Sequence, residues 1–145
     1  MIAVVDASVA IKWFVFFKAG EDDADKALEI LDQAALGRLS LRQPPHFLAE
    51  VAAVLARLKP DEAHDDLLDL MAVESQVVAE PDLYATAIDL AIRHGQHVFD
   101  TLYHAAALLT PGATLITADR RYYDKALGDG QIVLLADWAS NPAKN

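Results

Sequence analysis

The chain has 145 residues, a net charge of −10 at pH 7 and 54% hydrophobic residues. This charge argues against a general nucleic-acid binder, because phosphate contacts require Lys and Arg. The sequence contains no cysteine, which excludes disulfides, thiol nucleophiles and thiolate metal sites.

Short apolar runs bounded by turn residues predict strands at residues 2–5, 39–42, 76–79, 114–117 and 132–135. Apolar residues at helical spacing predict helices at residues 8–17, 24–36, 47–58, from 60 onward, 82–94 (capped by Asp82), 101–109 and 120–127. Strands that alternate with helices predict a three-layer α/β/α sandwich with a mainly parallel central sheet.

The length favours a single domain over residues 1–145. The apolar N-terminus lacks a basic segment and meets Asp6 almost at once, so we interpret it as a buried strand and not as a signal peptide. No run approaches the roughly 20 apolar residues of a membrane span. We therefore expect a cytoplasmic protein without a membrane partner.

Four carboxylates stand against apolar segments: Asp6, Glu50, Asp100 and Asp119. A lone acid in such a place carries a desolvation cost unless a cation meets it. Asp6 and Asp119 follow predicted strands, at the sheet edge where α/β proteins bind ligands. The simplest cation that would gather four carboxylates is a hard divalent metal, Mg²⁺ or Mn²⁺.

Such a metal would clamp a phosphate oxygen and activate a water for attack on phosphorus. Arg120, Arg121 and Lys12 are then candidates to neutralise the scissile phosphate or its neighbours. Ser8 and Thr117, each two residues from an Asp, are candidates to orient carboxylates.

Simpler interpretations compete with this one. Asp is a favoured helix N-cap, so Asp6, Asp100 and Asp119 each fit a capping role. Glu50, predicted in mid-helix, has no free backbone N–H to cap. Its alternative is a buried ion pair with Arg42, Arg57 or a distant Lys.

The aromatic run at residues 13–17 is the second unusual feature of the sequence. Consecutive helical residues step by about 100°, so this run surrounds its helix, whereas a surface helix normally buries one stripe. We predict that part of the run forms a partner-binding surface, with candidates Trp13, Phe14, Phe16 and Phe17.

Four segments in register resemble a PIN domain, specifically the VapC-type toxin of toxin–antitoxin pairs. They are VVDASVAIKWF from Val4, FLAEVAAVL from Phe47, VFDTLYHAAAL from Val98 and TLITADRRYYDKA from Thr114. The resemblance implies a metal-dependent endoribonuclease with Asp6, Glu50, Asp100 and Asp119 as its acidic site. It also implies Ser8 and Thr117 as supporting hydroxyls, a homodimer, and an antitoxin that binds near the first helices.

Two other classes remain open. One is a phosphoryl-transfer or phospho-acceptor domain that uses Asp6. A dehalogenase-like site needs a second Asp two residues later, where this chain has Ser8. A phospho-acceptor domain needs a Lys near the end of a late strand, whereas Lys125 lies inside a predicted helix. The other is a catalytically silent binding module that keeps the acids for structure. Metal-linked stability and nuclease activity separate the second class from an enzyme.

Overall fold

The computed structural model of the chain describes residues 1–15 and 21–140. Within these residues, five strands form one sheet in the order β3-β2-β1-β4-β5, and every neighbouring pair is parallel. The strands are β1 (Ile2–Val5), β2 (Ser40–Gln43), β3 (Ser75–Val77), β4 (Ala113–Thr117) and β5 (Ile132–Leu134). The predicted parallel sheet is confirmed.

Helices connect the strands, and short 3₁₀ turns at Leu127–Asp129 and Leu135–Asp137 flank β5. The α-helices are α1 (Ala7–Ala10), α2 (Lys12–Val15), α3 (Ala24–Ala35), α4 (Phe47–Leu58), α5 (Ala63–Ala72), α6 (Asp82–His94), α7 (Val98–Leu108) and α8 (Arg120–Ala126). Among the helices that the structure describes, none has the length and apolar character needed to cross a bilayer.

Several predicted boundaries are wrong. The helix predicted at 8–17 is two short helices, α1 and α2, and its last two residues lie outside the described part of the chain. The α5 helix begins at Ala63 instead of Pro60, and α7 begins at Val98, three residues before the predicted start. Asp82 does not cap α6, because it is the first helical residue and Pro81 holds the cap position.

The strand order reverses direction at β1, which lies between β2 and β4. Connections from β1 to β2 to β3 run one way across the sheet, and those from β3 to β4 to β5 run the other way. Right-handed crossovers in opposite directions place helices on opposite faces, which gives the α/β/α sandwich. Ligands of such sheets bind where the order reverses, beyond the carboxyl ends of the central strands. Here those are the ends of β1 and β4.

The core is densest where α7 packs on the sheet. Ala105, Ala106 and Ala107 are fully buried, and α7 contacts β1, β2 and β4. Alanine side chains are small enough to let a helix axis approach a sheet closely. This approach fixes the start of α7, and with it Asp100, near the carboxyl end of β1.

A buried amide joins β1 to β2 where their backbone pairing ends. Gln43 Nε2 donates to the Val5 carbonyl oxygen at 2.9 Å, and Gln43 Oε1 accepts from the Val5 N–H at 2.9 Å. Gln43 is only 2% exposed, so no water replaces these bonds without a local opening. The side chain thus supplies both hydrogen bonds of the residue that precedes Asp6.

We predict that Gln43→Ala lowers the free energy of unfolding by about 2–4 kcal/mol, because it leaves a cavity and two unpaired backbone groups. Urea unfolding would measure the change. Gln76→Ala, at an exposed position on β3, is the matched control and should change stability by less than about 0.5 kcal/mol. Equal effects of the two substitutions would contradict a special role for Gln43.

Candidate active site

Asp6 lies directly after β1, at the reversal point of the sheet. Its backbone N–H donates to Ile116 O at 3.1 Å, so the residue extends the β1–β4 pairing by one hydrogen bond. Its Oδ1 accepts from the Ser8 N–H at 3.2 Å, which makes Asp6 the N-cap of α1. Hydrogen bonds with the backbone of β4 and of α1 thus fix the position of Asp6.

Two hydroxyl groups connect the end of β1 to the end of β4. Thr117 Oγ1 donates to Asp6 Oδ2 at 2.8 Å and accepts from the Asp119 N–H at 3.0 Å. Ser8 Oγ accepts from the Ala118 N–H at 3.1 Å. Both predicted supporting hydroxyls therefore lie in the site, where Thr117 contacts Asp6 directly.

The capping alternative holds for two of the three aspartates. Asp119 Oδ1 accepts from the Tyr122 N–H at 3.0 Å and caps α8, as Asp6 caps α1. Asp100 does not cap α7, since His97 holds that position and Asp100 lies in the first turn. Its Oδ2 accepts from Gln96 Nε2 at 3.3 Å.

Glu50 lies in the first turn of α4, and not in mid-helix as predicted. Its partner is His46, whose Nε2 is 3.1 Å from Glu50 Oε2, instead of the arginines or a lysine proposed from the sequence. The same nitrogen is 2.7 Å from Phe99 O. Both partners are acceptors, so Nε2 carries the proton and Nδ1 of a neutral ring is the acceptor.

The four carboxylates influence one another electrostatically. Burial raises the pKa of Asp6 to about 6; hydrogen bonds from Thr117 and Ser8 oppose the rise, and the charges of Glu50 and Asp100 add to it. Burial likewise raises the pKa of Asp100, with contributions from Glu50 and Asp119. The site therefore holds negative charge that the protein itself does not neutralise.

The phenol of Tyr103 is a functional candidate that the sequence reasoning missed. Its side chain is fully buried, and burial together with the charges of Glu50, Asp6 and Asp100 raises its pKa. Tyr103 is thus a neutral O–H donor among carboxylates, and Glu50 is the carboxylate whose charge affects its pKa most. Its spacing of three residues from Asp100 on one helix was the available signal.

A second hydrogen-bonded network fixes α7 against α8. His104 Nε2 donates to Gly130 O at 2.8 Å, so Nδ1 accepts from the Tyr122 hydroxyl at 2.8 Å. Burial lowers the pKa of His104 and keeps its ring neutral. The network holds together the two helices that begin beside Asp100 and Asp119.

The donor chemistry of the site fits a hard divalent cation, since Asp6 and Asp100 have raised pKa values to which neighbouring carboxylates contribute. Among the described residues, however, no three His, Asp or Glu side chains are placed to hold one metal ion together. The carboxylates would have to rotate to share an ion.

The predicted basic residues differ in their surroundings. Arg120 and Arg121 are exposed at the start of α8, directly after Asp119. Lys12 is 8% exposed, and its Nζ is 2.9 Å from Glu21 Oε2, so its charge is already paired. The contact of all three with RNA stays a prediction.

The predicted partner surface is only partly described. Trp13 is 6% exposed, and its indole N–H donates to Ala27 O at 2.8 Å, so this side chain belongs to the core. Phe14 is half-buried and packs against the core. Phe16 and Phe17 lie outside the described residues. A partner contact through this run stays a prediction.

The fold and the site define a class: an α/β/α protein with a carboxylate cluster at the reversal point of a parallel sheet. The chain belongs to the PIN domain family, which matches residues 3–127. PIN domains are generally nucleases. A search of curated protein sequences finds no significant match.

Solved structures share this fold at low sequence identity. VapBC2 from Rickettsia felis, bound to a DNA fragment from its promoter, aligns with a TM-score of 0.63 and 16% identity over 92% of this chain and 97% of its own. VapBC-1 from nontypeable Haemophilus influenzae aligns with a TM-score of 0.62 and 14% identity over 94% and 100%. PAE2754 from Pyrobaculum aerophilum aligns with a TM-score of 0.57 and 19% identity over 94% and 93%.

The raised pKa of Asp6 predicts a pH-dependent effect of Asp6→Asn on stability. The folded-state pKa is about 6 and the unfolded value 3.8, so ionised Asp6 destabilises the fold above about pH 6 and carries no penalty below pH 3.8. Without metal, the variant should unfold with a free energy higher by about 1–3 kcal/mol at pH 7.5. The gain should shrink towards zero near pH 4.

Urea unfolding in EDTA at both pH values would measure the difference. Asp89→Asn is the control, because it removes the same charge from an exposed position on α6. A gain at pH 7.5 no larger than that of the control would contradict the electrostatic strain assigned to Asp6.

Proposed function

We propose that this protein is a VapC-type toxin, a divalent-metal-dependent endoribonuclease. Its active site in this proposal consists of Asp6, Glu50, Asp100 and Asp119. The observation that carries the proposal is the placement of carboxylates at the reversal point of the sheet, where burial and neighbouring carboxylates raise the pKa of both Asp6 and Asp100. Charge of this kind is what a divalent cation neutralises.

In this proposal the four carboxylates hold Mg²⁺ or Mn²⁺, and the ion supplies Lewis acidity to a water and to a phosphate oxygen. Thr117 and Ser8 keep the Asp6 carboxylate aimed into the site. His46 does the same for Glu50 through its Nε2–H. These contacts reduce the reorganisation needed when substrate and ion arrive.

The remaining parts of the site serve substrate binding. Arg120 and Arg121 lie exposed next to Asp119, where their guanidinium groups would meet the RNA backbone. Lys12 joins them if its pairing with Glu21 opens. Lys125 donates to Gln96 at 3.0 Å on an exposed face, so it is not the lysine that a phospho-acceptor domain would place against Asp6.

The proposal includes two protein partners and the cytoplasm as location. The first partner is a cognate antitoxin, supported by the similarity of the fold to chains of VapBC complexes. The second is another copy of the chain. The exposed apolar residues Tyr84, Ile88 and Ile92, four apart on one face of α6, favour a homodimer.

Cleavage of a mixed tRNA and rRNA pool would test the nuclease directly. With Mg²⁺ or Mn²⁺ the wild type should cut, EDTA should stop it, and Asp100→Asn should lose at least about a hundredfold in rate, because the metal supplies several kcal/mol of charge stabilisation. Asp89→Asn, purified identically, should cut like the wild type. Equal cutting by Asp100→Asn would expose a contaminant, and silence of the wild type would favour a binding module.

Metal binding should also stabilise the fold. At a free concentration ten times its Kd, an ion that binds only the folded state raises the free energy of unfolding by about 1.4 kcal/mol. For a domain of this size that corresponds to about 3–6 °C in Tm. Thermal unfolding with and without Mn²⁺ at pH 7.5 would measure it.

The double variant Asp6→Asn, Asp100→Asn should lose this shift. Asp65→Asn, Asp69→Asn removes two exposed acids from α5 and should keep it. If both double variants responded equally, the ion would be binding to general surface charge, and the proposed site would be wrong.

A further inference from the structure

An open cavity of about 430 Å³ adjoins the carboxylates on one side. Two carboxylates of the proposed site form part of its wall, and the rest is aromatic or apolar. The lining residues are His46, Ala49, Glu50, His97, Phe99 and Asp100. Its size is that of a small-ligand pocket and its wall is mostly apolar, which distinguishes it from the polar site next to it.

Three rings follow one another from the solvent to the carboxylates. Phe99 is 66% exposed, and its ring centroid lies 5.8 Å from that of His46. The His46 ring lies 4.8 Å from that of Tyr103, which is fully buried beside Glu50. The outermost ring has a free face, and the inner two support it.

The backbone of Phe99 is held in place although its side chain is exposed. Phe99 belongs to the first turn of α7, and its carbonyl oxygen accepts from His46 Nε2 at 2.7 Å. An exposed phenyl ring buries little area in the core, so its position brings no evident benefit to folding. It does offer a flat apolar surface within one residue of Asp100.

We propose that this cavity binds an unpaired nucleobase of the RNA, stacked on Phe99, next to the phosphate that is cut. The inference rests on the proposed nuclease function and names the part of the substrate that the chain recognises. Stacking on an aromatic side chain is available to any base, but only to one that is not already stacked and paired in a duplex. The enzyme would therefore select single-stranded segments.

Charge supports a base over a phosphate in this cavity. Glu50 and Asp100 line it, and no Lys or Arg does, so a phosphate would meet repulsion there. A neutral base meets none, and its ring N–H or amino groups match the carboxylate acceptors at the wall. The chain as a whole carries a charge of −10, which makes an affinity that does not depend on cations especially useful.

The test uses full-length protein in EDTA and a 12-nucleotide single-stranded oligouridylate with one central 2-aminopurine, whose fluorescence is quenched by stacking. We expect the wild type to bind the probe and quench it. Phe99→Ala should weaken binding by about 5- to 150-fold and abolish the quenching, as expected for the loss of one base stack. Phe99→Tyr keeps the ring and should behave like the wild type.

Leu68→Ala is the matched control, because Leu68 is an apolar residue on α5 that is 65% exposed, nearly the same as Phe99, and does not line the cavity. It should leave binding and quenching unchanged. The same probe annealed to a complementary strand should bind weakly to every variant. Unchanged probe binding by Phe99→Ala, or no binding by the wild type, would overturn the proposal.

Cleavage of the mixed RNA pool by the same preparations separates this inference from the nuclease proposal. Wild-type cutting with an unchanged KM in Phe99→Ala would leave the nuclease intact and remove the base pocket. Probe quenching that depends on Phe99 without any cutting would support the pocket and remove the nuclease. Unchanged RNA binding with lost self-association in sedimentation would assign Phe99 to a contact between copies and overturn the pocket.

Discussion

The structure depends on the cost of placing uncompensated carboxylates at the centre of the sheet. Burial works against ionisation of Asp6 and Asp100, and each also senses the charge of Glu50. A fold retains such strain only where surrounding interactions exceed it. The carboxylate cluster therefore lowers the free energy of unfolding, and interactions elsewhere in the domain have to compensate for it.

Polar side chains in the interior supply much of that support at the strand ends. Gln43 completes the hydrogen bonds of Val5, Thr117 joins Asp6 to Asp119, and His104 joins α7 to α8 through Tyr122. Each of these contacts connects elements that are distant in the sequence, so together they fix the carboxyl ends of β1 and β4. The alanine-rich middle of α7 adds close packing under the same region.

The sequence was sufficient for the order of the elements and for the positions of Asp6 and Asp119 close to the ends of β1 and β4, because apolar runs and the ends of parallel strands are local signals. It was insufficient where partners come from elsewhere in the chain. Gln43 and the His46–Phe99 contact give no local pattern. The start of α7 was placed late because Asp100 looked like a cap, whereas His97 in extended conformation ends the preceding turn. Glu50 was given the wrong partner because it lies in the first turn of α4, one turn after the cap residue His46, whose side chain is within its reach.

The distribution of charge bears on how such a protein meets RNA. Sixteen of its 22 acids lie between Glu21 and Asp89, whereas Arg120 and Arg121 stand next to Asp119. Long-range attraction is therefore weak, and only a small number of phosphates can be neutralised, which implies a shallow dependence of affinity on salt. Affinity then has to arise at short range, from the ion at the carboxylates and from apolar contact beside them. In the proposed ribonuclease both sources would lie at the start of α7, where Phe99 and Asp100 are consecutive, so a single helix turn would couple recognition of the strand to the place where it is cut.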